Sequence, residues 1–280
     1  MIITVAGLGL IGGSFCKAIK AETDHTVLGY DINDKVLTDA VADGTIDGKC
    51  EDFSLSDLTI VCLYPDATKK FIIDNADKFK KGSTVIDSCG IKTVIVNSVD
   101  EILKANGVNF VGAHPMAGRE FSGYAYSLPT LYKGASFIMT PTLNASDESV
   151  AMLEKLAEQI GFGKIVKTTP ENHDSIIAYT SQLAHIVSSA YIKSPTLKSE
   201  SGFSAGSFKD LTRVAKLNED MWTDLFLQNS SPLLYEIDTI IEKLTEYRNA
   251  IADNDSETLK ELLRDGRILK EKSLGQNEEE

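Results

Sequence analysis

The residues with the clearest chemical spacing are Gly7, Gly9 and Gly12, which with Leu8, Leu10 and Ile11 spell G-x-G-x-x-G directly after an apolar run at 2–6. That order permits a tight turn at Gly7, close approach of the backbone to a pyrophosphate at Gly9, and close strand–helix packing at Gly12. The phosphates would meet the partial positive charge at the N-terminus of the following helix. Asp31 ends a second β run at 26–30, where a carboxylate bonds ribose hydroxyls and repels a 2′-phosphate. Ile32, Asn33 and Asp34 supply no arginine to hold such a phosphate, so NAD is expected rather than NADP. A simple cap on the helix starting near Asn33 is the other reading of Asp31. Leu63, ending the third β run, Pro65 just beyond it, and Ser88, after the fourth, complete the expected cofactor-facing set.

His114 opens a second group. It begins His114-Pro115-Met116-Ala117-Gly118, just after an apolar run at 109–112. It is therefore expected in a loop at the C-terminal end of a strand, where open α/β sheets present ligands. A neutral imidazole there suits proton transfer near pH 7, and a structural histidine fits the same place. His173 and His185 are twelve residues apart, more than three helical turns, so they cannot jointly hold one small ligand and no metal site is expected. Either fits equally a satisfied histidine at a domain seam. Lys209 and Arg213 lie four apart on one expected helix and share a face. Two cations there suit a dicarboxylate, with Arg213 able to grip one carboxylate bidentately. With Asp210 adjacent, a solvated face is the alternative. Trp222 reads by default as a core or interface residue.

These groups need a scaffold, and the chain shows two rhythms. Up to about residue 167, apolar runs at 2–6, 26–30, 59–63, 84–87, 109–112, 136–140 and 164–167 alternate with helical stretches such as 35–42, 93–105 and 147–161. That alternation argues for a doubly wound, mainly parallel sheet. Thr169-Pro170 reads as an N-cap followed by proline at the first helical position. Strand patterns then vanish, and helices are expected at 171–192, 207–216, 220–228, 232–254 and 256–272. The expected division is an α/β domain over 1–167 and an all-α domain over 168–280, with a fraying acidic tail at 276–280.

A net charge of −13 argues against nucleic acid or anionic membranes as partners, so an anionic ligand would need a local basic patch. No apolar run approaches the roughly 18 residues that cross a membrane, and no basic leader precedes the first strand. Cys16, Cys50, Cys62 and Cys89 are scattered without C-x-x-C spacing, as expected for reduced thiols of a cytoplasmic protein.

Five segments together resemble the TyrA family of prephenate and arogenate dehydrogenases, in order and over nearly the whole chain. They are G-L-G-L-I-G-G-S at Gly7, H-P-M-A-G at His114, and H-D at His173 with S-Q-L-A-H ending at His185. G-S-F-K-D-L-T-R-V-A at Gly206 and M-W-T-D at Met221 complete the set. The resemblance implies a Rossmann-type domain plus an all-α dimerisation domain, and NAD-dependent oxidative decarboxylation of prephenate, or of its amino analogue arogenate. By the same resemblance His114 takes the proton of the substrate's ring hydroxyl, and His185 is a second substrate-side histidine. Arg213 binds a carboxylate with Lys209 in support, Glu120 and Asp174 match gating acids, and Gly206 and Trp222 match positions supplied by a partner subunit of a homodimer.

Two departures stand out. The family's S-H-L-P-H is Ser181-Gln182-Leu183-Ala184-His185 here, and its D-x-G-S-x-K is Asp87-Ser88-Cys89-Gly90-Ile91-Lys92. The serine expected to bond both His114 and substrate is thus Gly90. Either Ser88 or a water takes its part, or His114 is oriented otherwise. A β-hydroxyacid dehydrogenase, which would need a catalytic lysine in its helical domain, and a non-catalytic NAD(H) sensor are the rival readings.

Overall fold

The seven apolar runs become strands of one eight-stranded sheet, whose short β3 (Gly48–Lys49) matches no expected run. A computed structural model describes residues 1–119 and 121–275, so Glu120 and the tail at 276–280 lie outside the described residues. The strands are β1 (Ile2–Ala6), β2 (Thr26–Tyr30), β3 (Gly48–Lys49), β4 (Leu58–Val61), β5 (Thr84–Asp87), β6 (Asn109–Pro115), β7 (Ser136–Pro141) and β8 (Lys164–Lys167). They lie in the order β3-β2-β1-β4-β5-β6-β7-β8. Every neighbouring pair is parallel except β6 with β7. Strands β4 and β5 are buried throughout, as strands covered on both faces must be.

Two apolar layers cover the sheet. Helices α1 (Leu10–Glu22) and α2 (Asp34–Ala42) contribute Phe15, Ile19, Leu37 and Ala40 to one. Helices α3 (Pro65–Asp74) and α4 (Thr93–Ala105) contribute Phe71, Ile72, Val99 and Leu103 to the other. Helix α5 (Asp147–Gln159) joins the first layer through Leu153 and Leu156. The sheet grows outward from β1 in both directions, and that reversal opens a crevice at the C-terminal ends of β1 and β4.

Thr169 caps the next helix, accepting from the Asn172 amide, and Pro170 takes the first helical position. Three short helical segments replace the single expected helix. These are α6 (Pro170–Ile177), a π turn (Ala178–Gln182) and α7 (Leu183–Tyr191). Helix α8 (Gly206–Thr212) is also shorter than expected, tightening to a 3₁₀ turn at Arg213–Ala215, and α9 (Glu219–Gln228) follows. These helices belong to the same compact unit as the sheet, Met1–Ser230.

The second compact unit, Ser231–Glu280, holds most of α10 (Ser230–Ala252) and α11 (Ser256–Gly275). The Tyr247 hydroxyl donates to the Leu262 carbonyl at 3.1 Å, tying the two helices together. Among the described residues no helix is long and apolar enough to cross a membrane.

Two strand ends differ from expectation by two residues or more. The β4 ladder stops at Val61, because the chain turns at Leu63 to start α3 at Pro65. Strand β6 runs three residues further, because antiparallel β7 continues its ladder, pairing His114 with Ile138 and Pro115 with Phe137. His114 is therefore held in a strand, not in the loop expected for it.

Candidate active site

The glycines of the first turn do what their spacing required. Gly7 has φ +91°, and a Cβ there would lie 2.5 Å from the Cys62 carbonyl oxygen. A Cβ on Gly12 would meet the Gly7 carbonyl oxygen at 1.9 Å, so only glycine lets α1 pack this closely. A Cβ on Gly9 would meet nothing within 4 Å, leaving open space over the N-terminus of α1. No acid sits in the first turn of that helix to cancel its positive end. Leu10 and Ile11, both half-buried, begin it.

Asp31 closes this cradle. Its Oδ2 accepts from the Leu8 amide at 2.7 Å and its Oδ1 from the Asn33 amide at 2.8 Å, and each oxygen keeps a lone pair for a ribose hydroxyl. Asn33, not Asp31, caps α2. The open space, the uncompensated helix end and the carboxylate fit a dinucleotide. Four expected cofactor contacts look different in detail. The Leu8 side chain is buried in the core and its amide is already given to Asp31. Pro65 is buried at the start of α3, and Leu63 packs beneath Gly7. The Ser88 hydroxyl donates to the Val61 carbonyl at 3.3 Å. Burial pushes the nearby thiols of Cys62 and Cys89 up to about 12, so neither is a nucleophile at neutral pH.

At the end of β6 the chemistry gathers around His114. Its Nδ1 lies 2.9 Å from Nε2 of His173, and Nδ1 of His173 lies 2.7 Å from Oδ1 of Asp174. The Asp174 carboxylate also accepts from the Lys92 amide at 2.7 Å and the Thr93 amide at 2.8 Å, so it satisfies the start of α4 from the neighbouring α6. Beneath them Lys92 and Asp87 form a fully buried ion pair. Lys92 Nζ donates to the Ala113 carbonyl at 2.6 Å, and Asp87 Oδ1 accepts from the Ala113 amide at 3.1 Å. The pair thus grips the peptide groups just before His114.

Burial, His173 and the Lys92 ammonium hold His114 well below the ordinary histidine range, against the pull of Asp174. Burial likewise lowers His173, although its bond to Asp174 works the other way. Burial would raise Asp174, but bonds from His173, Thr93 and Lys92 outweigh it and leave the carboxyl below its usual range. At neutral pH the cluster holds two neutral imidazoles and one carboxylate.

A second cluster lies along α9. The Trp222 ring packs on His185, centroids 3.8 Å apart, and His185 Nδ1 donates to the Val214 carbonyl at 3.0 Å. That bond leaves His185 Nε2 as the acceptor nitrogen. Burial lowers the His185 pKa, and the positive charge of Arg213 adds to the effect. One turn beyond Trp222, a Cβ built on Gly90 would lie 3.7 Å from Leu225 Cδ2 and 3.8 Å from His114 Nε2. Gln182 is buried, donating to the Leu225 carbonyl at 3.3 Å and accepting from Asn229 at 2.7 Å. Helix α9 therefore links the His114 and His185 ends. Gly206, Lys209 and Arg213 are exposed on α8 and the 3₁₀ turn after it. Among the described residues no cluster of three or more His, Cys, Asp or Glu side chains could hold a metal.

Two adjoining sequence profiles cover most of the chain. The one described as the nucleotide-binding domain of prephenate dehydrogenase matches residues 15–167, and the one described as its dimerization domain matches residues 169–265. The chain belongs to the prephenate dehydrogenase family. It is 31% identical to a prephenate dehydrogenase of Bacillus subtilis, over 92% of this chain and 72% of that one. A cyclohexadienyl dehydrogenase of Zymomonas mobilis is also 31% identical, over 92% of this chain and 91% of that one. Among solved structures, a prephenate dehydrogenase from A. aeolicus in complex with hydroxyphenyl propionate and NAD+ superposes with a TM-score of 0.86. It shares 28% identity and covers 97% of this chain and 98% of that one.

Against the family pattern, the neighbours of His114 can be compared. Ser88 is bonded to Val61 and Gly90 offers no hydroxyl, while His173 lies 2.9 Å from the Nδ1 side of the ring. The sequence reading gave His173 no role in the site. Its signal was there in the H-D pair one turn after a Thr-Pro helix start. Asp174, matched above to a gating acid, sits at the start of α4. It is 3% exposed with both oxygens engaged, because α4 needs an acceptor at its N-terminus. Trp222 meets His185 of its own chain.

Proposed function

We propose that the chain catalyses the NAD-dependent oxidative decarboxylation of prephenate to 4-hydroxyphenylpyruvate, working as a homodimer. The observation that carries this reading is His114. Its ring is anchored at Nδ1, and its Nε2 faces the space beside Gly90 at the ligand-presenting edge of a nucleotide-binding sheet. Bound at the Gly7–Gly12 turn with Asp31 on its ribose, NAD supplies the hydride acceptor. His114 Nε2 takes the proton of the ring hydroxyl, and the ring carboxylate leaves as CO₂ while the ring aromatises. His185 and Trp222 form the opposite wall, and Arg213, with Lys209 and the backbone at Gly206, holds the remaining carboxylate.

Incubating the purified chain with prephenate or arogenate, each with NAD or NADP, tests the assignment. Prephenate with NAD is expected to give NADH and CO₂ in equal amounts. Absence of NADH with both ring acids would overturn the reading. The relative named as a cyclohexadienyl dehydrogenase favours a second outcome, in which arogenate is turned over as well. For the dimer, α10 and α11 expose Ile241, Leu244, Leu263 and Leu269, and the matching profile is that of a dimerization domain. Sedimentation should give twice the chain mass at assay concentrations.

Two substitutions probe binding. Asp31→Ser removes the charge that opposes a 2′-phosphate, so the NAD-over-NADP ratio of kcat/KM should fall by about tenfold or more. Equal kcat/KM for NAD and NADP in the unsubstituted protein would show that Asp31 does not select the cofactor. Arg213→Ala should raise KM for the ring acid by about 10- to 100-fold, the worth of a hydrogen bond between charged groups, with KM for NAD unchanged. An unaltered KM would place the carboxylate on another cation.

A further inference from the structure

We infer that His173, held by Asp174, is a positioning residue that fixes the tautomer of His114, leaving His114 Nε2 as the proton acceptor. The inference rests on His114 being the base. It follows from hydrogen-bond accounting. Asp174 is a carboxylate whose Oδ1 already accepts from the Lys92 amide, so it can only accept from His173. His173 Nδ1 therefore carries a hydrogen, and in the neutral ring Nε2 carries none. The 2.9 Å contact to His114 then requires that His114 Nδ1 donate. One hydrogen remains in a neutral His114, and it is spent on Nδ1. Nε2 is bare, and it is the nitrogen beside Gly90.

The arrangement also answers the missing serine. A hydroxyl at position 90 would touch Nε2, the working nitrogen, and could steady the ring from the substrate side. Here the ring is steadied from behind, by a buried imidazole whose own orientation is set by a carboxylate locked to two backbone amides. When His114 accepts the hydroxyl proton, its Nδ1–H bond to His173 persists, and Asp174 lies one ring away to offset the new charge. The charged and titratable groups facing His114 are His173 and Asp174 from α6, Lys92 at the start of α4, and the Asp87 paired with that lysine on β5.

Direct observation comes from ¹⁵N NMR of histidine-labelled protein, which contains only four histidines. The ring nitrogens of His114 and His173 should each show a protonated Nδ1 and a bare Nε2 at pH 7.5. A protonated His114 Nε2 would overturn the inference, whatever the kinetics. His173→Leu removes the acceptor and should lower kcat about 10²-fold with KM for NAD unchanged. His173→Gln keeps an oxygen where Nε2 was and should recover most of that loss, which a filler of space would not do. In a His114→Asn background, His173→Leu should cost nothing further, because it acts only through His114. An additive loss there would make His173 merely structural. Full activity in His114→Asn alone would instead remove the base assignment, and the two failures are distinguishable.

Discussion

Replacing His114 by Asn is expected to lower kcat by about 10²–10⁴-fold, because the amide keeps a donor for His173 and loses the lone pair that accepts the substrate's proton. NAD affinity should be unchanged, since the glycine turn and Asp31 lie at β1 and β2. The pH profile carries a second signature. A base must be neutral to work, and burial, His173 and Lys92 depress the pKa of His114. Activity should therefore be level through neutrality and fall only well below pH 6.5, as pH drops through the lowered pKa. A limb centred near pH 6.5 would mean that the titrating group is less buried than His114. The same depression bears on stability. His114, His173 and His185 all bind protons more weakly when folded, so the folded state loses ground as pH falls below about 6.5, where the unfolded histidines charge first.

Lys92→Met should destabilise the fold by about 3–5 kcal/mol, lowering Tm by roughly 10 °C. The substitution leaves Asp87 fully buried and uncompensated, still facing the amides of Cys89 and Ala113. Adding Asp87→Asn should recover much of the loss, since the orphaned charge and not the missing attraction dominates the cost. Thermal melts of the two variants check both steps. A loss under about 1 kcal/mol for Lys92→Met would show that Asp87 finds water or a proton in its place.

Much of this was legible in the chain because the features are local. The turn at Gly7–Gly12, the acid at Asp31, the Thr169 cap and helix α4 each follow from contiguous residues whose backbone demands can be read directly. What could not be read depends on partners distant in sequence. Strand β6 extends through His114 only because β7 lies antiparallel beside it. His173 spaced against His185 looks idle, whereas its partner is His114, 59 residues away. Asp174 is identifiable as an acid, but its service to the start of α4, 81 residues earlier, is not. Gly90 read as a deficit, because the ring's support comes from behind it. The π turn contains neither glycine nor proline, and no residue of Ala178–Gln182 announces it. Its reason is tertiary, for Gln182 turns inward to reach Leu225 and Asn229.

That wide turn gives the segment an unusual relation to insertions and deletions. A π turn is an α-helix carrying one extra residue without a loop to absorb it. Loss of a single codon between 178 and 182 would let the helix close into regular α geometry with no break in its hydrogen bonds. The widened turn takes up the extra residue, so everything after it would keep nearly its facing and height, whereas the same deletion in a regular α-helix would turn it by about 100° and shift it by about 1.5 Å. His185 would stay at the face of Trp222, and His173, upstream, beside His114. The stretch is a frame in the mechanical sense. Its folding would survive the deletion, and so would the facing of its two histidines.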